Sequence, residues 1–120
     1  MSADDKRPAA LVRAEVATES WREAVRRQRS ATLDHADFYA LAGEIVTTLH
    51  ALDDLAKLLG EQIVRYPQGR TLYDDTRDVD PLIRLDDAAA EIHAARRAIV
   101  TASHSANRFW SLIGHIGASS

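Results

Sequence analysis

Apolar residues between positions 34 and 66 recur at every seventh place: Phe38, Ile45, Leu52, Leu59 and Tyr66. Leu41 and Leu55 lie beside that ladder, and Ala42, Leu49, Ala56 and Ile63 form the next row. The period is helical, and the stripe is broader than a two-stranded coiled-coil seam, so it must be covered on more than one side. Asp34 supplies an N-cap and Pro67 a stop, which predicts a helix ending at Tyr66. Residues 81–113 repeat the pattern, with Leu85, Ile92, Ile99, Ala106 and Ile113 in one ladder. Ala88, Ala95, Ala102, Phe109 and Ile116 form its partner, where the alanines let another helix approach closely and Phe109 and Trp110 widen the contact. Asp80-Pro81 opens this helix and Gly114 and Gly117 are natural stops. The segment Pro8–Gln28 is amphipathic but weaker, with Leu11, Ala14, Thr18, Trp21 and Val25 on its apolar side and Glu23–Arg27 as an i,i+4 pair.

This pattern predicts an all-α fold: an up-down helical bundle of three helices, two of them long, completed by dimerisation and spanning 1–120 as a single helical domain. The short link "SATLDH" predicts that the first two helices are adjacent and antiparallel. Gly43 and Gly60 fall inside the second helix, where each costs roughly 1 kcal/mol against Ala and so points to a bend or a close helix contact. Residues 1–7 are expected to be disordered, and 67–80 form a long acidic loop that Leu72 and Tyr73 would tack down.

Composition narrows the functional classes. The chain has 120 residues and no cysteine, so disulfides, thiol catalysis and Cys-based zinc sites are excluded. The charged start "MSADDKRPAA" lacks a signal-peptide core, and no apolar run reaches the ~20 residues needed to span a bilayer. The expectation is a cytoplasmic protein with no membrane partner. A net charge of −3 argues against a nucleic-acid partner for the whole chain. The charge is uneven: residues 34–66 carry −4 and 67–87 carry −3, whereas 1–33 and 88–120 each carry +2. Such segments attract one another within a bundle or across a homodimer.

Candidate chemistry is sparse. His93, Arg97, His104, Arg108 and His115 repeat at an interval close to three helical turns, and would line one stripe able to bind anions. Its histidines would stand ~16 Å apart, too far to share a metal. A solvated polar face is the preferred reading of the stripe. "VRRQRS" sets Arg22, Arg26 and Arg29 on one face with Arg27 beside them, read as solvated or matched to the acidic second helix. "YDDTRDVDP" lacks the order of a calcium loop, and is read as a hydrated acidic segment. His50, Asp53 and Asp54 have no matching carboxylate helix. No metal and no cofactor is therefore expected.

Two resemblances enter through the C-terminal stretch. The Arg108-to-His115 spacing resembles the Arg–x4–6–His signature of HEPN-type ribonucleases, which are small helical bundles that pair these residues at a dimer interface. That resemblance implies His115 as general acid/base and Arg108 as the group stabilising phosphate charge. Against the family's pattern, Phe109 stands where a polar residue usually follows the arginine, and Gly114 ends the helix before His115. "TLHALDDL" together with "ANRFWSLIGHIG" looks like short helical proteins of actinobacteria, some carried near plasmid or integrative-element genes, and carries no catalytic residues over. The preferred expectation is a non-enzymatic interaction or regulatory accessory protein, an oligomeric helical bundle with Trp21, Phe109 and Trp110 as partner-binding anchors. A HEPN-like ribonuclease, and nucleic-acid binding through the His/Arg stripe, are its alternatives.

Overall fold

A computed structural model describes residues 6–119. Residues 1–5 of the segment expected to be disordered lie outside the described residues, while Arg7 is held by Glu15, Nη1 to Oε2 at 2.7 Å. Three helices and no strand occur among the described residues: α1 (Ala9–Arg29), α2 (His35–Arg65) and α3 (Pro81–Ile113). The chain divides into two compact units, residues 1–33 and 34–120.

In the first unit, α1 is laced by ion pairs along its own surface. Arg27 pairs with Glu23 at 2.7 Å, and Arg26 reaches both Glu23 and Glu19. Arg22 lies 3.7 Å from Glu19. Arg22, Arg26 and Arg27 of the basic run are thus matched inside their own helix, by acids three, four and seven residues away. These exposed pairs support the helix weakly.

The second unit is a helical hairpin. Asp34 caps α2 by accepting from the Ala36 amide, and Asp80 caps α3 by accepting from Leu82 ahead of Pro81. Gly114 closes α3. Tyr39 meets Gly114 and Trp110, Gly43 meets Trp110, Asp53 meets Arg96, and Gly60 meets Ile92, so the two helices run antiparallel. On α2 the covered row is Ala42, Val46, Leu49, Asp53, Ala56, Gly60 and Ile63. On α3 it is Leu85, Ala89, Ile92, Arg96, Ile99, Ser103, Ala106, Trp110 and Ile113. Both rows alternate steps of four and three, the spacing of a left-handed pair with ~20° crossing. A Cβ at Gly43 would stand 3.2 Å from the Trp110 ring, and one at Gly60 3.3 Å from Ile92. Both glycines therefore mark close helix approach.

The connection 67–80 is stapled rather than simply hydrated. Asp74 is buried, and its carboxylate accepts from the Thr76 amide and hydroxyl and from Arg84 Nε at 2.8 Å. Those donors hold its carboxyl below the usual aspartate range, the Thr76 hydroxyl first and Arg84 next. Leu72 is half-buried, whereas Tyr73 is exposed and carries the Arg77 guanidinium over its ring at 4.5 Å. Gly69 and Arg77 take left-handed backbone, with φ of 71° and 63°. The tack is therefore Asp74 with Leu72, and Tyr73 takes no part in it.

Candidate interaction face

The covered seam mixes small or polar side chains with large apolar ones, among them Leu49 and Ile63 on α2 and Ile92, Ile99 and Trp110 on α3. Ala42, Val46 and Ala56 are its buried apolar residues on α2, and Ser103 its buried residue on α3. Midway, Arg96 forks onto Asp53, Nε to Oδ1 at 2.9 Å and Nη2 to Oδ2 at 3.3 Å. The guanidinium holds the Asp53 carboxyl below its ordinary range, chiefly through those hydrogen bonds. A polar pair inside an apolar seam fixes register, because any slip leaves both charges unmatched.

Further large apolar residues, most of them on α2, lie beside the seam. In an antiparallel pair of right-handed helices, residues preceding seam positions emerge on one side and residues following them on the other. The preceding positions on α2 include Leu41, Ile45, Leu52, Leu55 and Leu59. On α3 they include Ala88, Ala95, Ala98, Ala102, Phe109 and Leu112. Thr48, Gln62, Arg84, Glu91 and Ser105 interrupt this face. Leu52 is 48% exposed and Phe109 52%. No side chain is fully buried among the described residues, so the hairpin leaves much of its apolar surface open. The following positions are polar by contrast: Thr47, His50, Asp54, Lys57 and Glu61 on α2, His93, Arg97 and His104 on α3, with Val64 and Val100 among them. Lys57, Glu61 and His93 line one groove together, which places both polar flanks on the same side.

Of the three aromatic anchors expected from sequence, Phe109 lies on this open face. Trp110 does not. Its ring sits in the seam against Gly43 and tilts on Tyr39 with centroids 5.6 Å apart, and its buried Nε1 has no hydrogen-bond partner. One residue of helical rotation separates the two fates. Trp21 is half-buried on α1, in the other unit.

Of the His/Arg stripe, His93, Arg97 and His104 are exposed along the polar side, whereas Arg108 donates to Ser105 Oγ at 3.3 Å, toward the open face. His115 lies past the end of α3, in an open groove of about 490 Å³ with His35, Tyr39 and Ser111. Arg108 does not line that groove. No group of three or more His, Asp or Glu that could hold a metal ion occurs among the described residues. No described helix is long and apolar enough to cross a membrane. Periodicity alone gave no signal for the Asp53–Arg96 pair, whose members are 43 residues apart. Comparisons with models of protein families, with curated proteins and with solved structures find no match to this chain.

Proposed function

We propose that this chain is a non-enzymatic interaction protein, an accessory or regulatory module that works inside a larger helical assembly. The observation that carries the reading is the open apolar face of the α2/α3 hairpin, flanked on its other side by a polar surface. Burying apolar area stabilises association by roughly 25 cal/mol per Å², so a face of this extent favours a protein occupant over water. Arg108 does not line the groove that holds His115, and no specific observation favours the ribonuclease alternative.

The test is photo-crosslinking in the producing cell, with benzoylphenylalanine at position 52 or at position 54. A discrete adduct from 52 and none from 54 is the expected result, whether its mass is that of two chains or of this chain with another protein. No adduct from 52, or equal capture from both positions, overturns the reading.

A further inference from the structure

We propose that the occupant of the open face is a second copy of this chain, with α2 of each copy lying over α3 of the other. The inference rests on the reading of that face as a docking surface, and it names the partner and its orientation. Three observations carry it.

The first is size. The α2 side of the face carries Ile45, Leu52, Leu55 and Leu59, whereas the α3 side is alanine from Ala88 to Ala102 apart from Glu91. Setting like helix on like would stack leucine on leucine and leave a gap between facing alanines. A two-fold axis parallel to the helices instead seats each leucine row over the partner's alanine row, and large side chains fill the space left by small ones. That axis preserves height along the bundle. The cross-helix pairs Asp53–Arg96 and Gly43–Trp110 set Leu52 and Leu55 level with the stretch from Ala95 to Ala102, so the swapped rows meet in register.

The second is charge. Within its helical span α2 has three more acidic than basic residues, and α3 one more basic than acidic. The swapped arrangement places acidic helices over basic ones and makes every neighbouring pair antiparallel, with opposed macrodipoles.

The third is area. Helices of 31 and 33 residues extend ~45–50 Å, and two of them side by side offer a face of about 900 Å². A standard stable interface buries about 800 Å² per partner, and an isologous two-fold contact uses the same face twice.

The experiment is light scattering on a sizing column with the full chain, followed by two kinds of variant. Wild type should elute at twice 13.2 kDa. The pair L52E/L55E should return the mass to one chain. So should A95L/A98L, which adds strong helix formers at positions outside the seam and keeps the far-ultraviolet dichroism of the hairpin. Orientation is read by disulfide trapping, which the cysteine-free chain permits. Mixing L52C protein with A98C or A102C protein should give a covalent heterodimer, while L52C alone should not link to itself.

A monomeric wild type overturns the second copy as occupant, and so does a dimer indifferent to both pairs of variants. A dimer that links L52C to itself and never to A98C or A102C overturns the orientation. The docking reading stands or falls separately, on whether position 52 captures any protein in the cell.

Discussion

The seam between α2 and α3 and the face beside it are rows on the same two helices, yet on α2 the seam holds the smaller side chains and on α3 the larger, Ile92, Ile99 and Trp110 against Ala95, Ala98 and Ala102. Ala42, Ala56, Gly60, Ala89 and Ser103 bring the backbones together, and Asp53–Arg96 sets their register. Ile45, Leu52, Leu55, Leu59 and Phe109 point away from it. Helices in one chain, tied by a connection that Asp74 staples to Arg84, close where approach is easiest and geometry most specific. On α2 the bulkier row is left for association, and on α3 the alanine row. On α2 the most hydrophobic face is therefore not the face its nearest neighbour covers.

Substitution at the centre of each row gives the largest contrast. V46D puts an unpaired carboxylate at a seam position only 4% exposed, and should cost on the order of 3–5 kcal/mol. Urea unfolding followed by helical dichroism checks this. L52D, on the open face, should keep the helical signal and lose only association. Equal loss of helix in both variants would erase the distinction between seam and face.

Acidification sharpens the comparison by weakening the first unit of that contrast, the seam, from within. Arg96 lowers the Asp53 carboxyl, so in acid the unfolded chain binds more protons than the folded one. The stability from the pair is present above the ordinary aspartate range and is lost as pH falls through the depressed value. Asp74, held low by Thr76 and Arg84, acts in the same sense at the loop. The thermal midpoint should drop below about pH 4, and D53N should flatten that drop. An unchanged acid limb in both D53N and D74N would deny the two pairs any part in it.

The smallest expected effect lies on the open face. Thr48 interrupts its leucine row, and T48L should tighten self-association by less than about tenfold. The unfolding free energy of the dissociated chain should move by no more than about 0.5 kcal/mol. Sedimentation across a dilution series reads the first quantity and urea titration the second.

Much of the helical framework was legible in the residues. Asp34, Asp80-Pro81 and Gly114 mark the ends they were expected to mark, because capping is local chemistry. The four ladders on α2 and α3 are real rows of the hairpin. Their assignment to seam or open face was not legible, because a period reports that a row is apolar and says nothing of what covers it. Asp53 with Arg96, and Asp74 with Arg84, are partners brought together by packing and turn geometry across 43 and 10 residues. The separation of Trp110 from Phe109 has a related reason. Trp110 neighbours Phe109 in the sequence, but lies one helical step further round, where Gly43 leaves room for an indole.

The buried, unbonded Nε1 of Trp110 has an optical consequence. Of the two tryptophans, Trp21 belongs to residues 1–33 and Trp110 to residues 34–120, so each unit carries its own fluorophore. An indole shielded from water emits to the blue, and shifts to the red when the seam opens. In a W21F background, intrinsic emission reports the separation of α2 from α3 directly, with no dye attached.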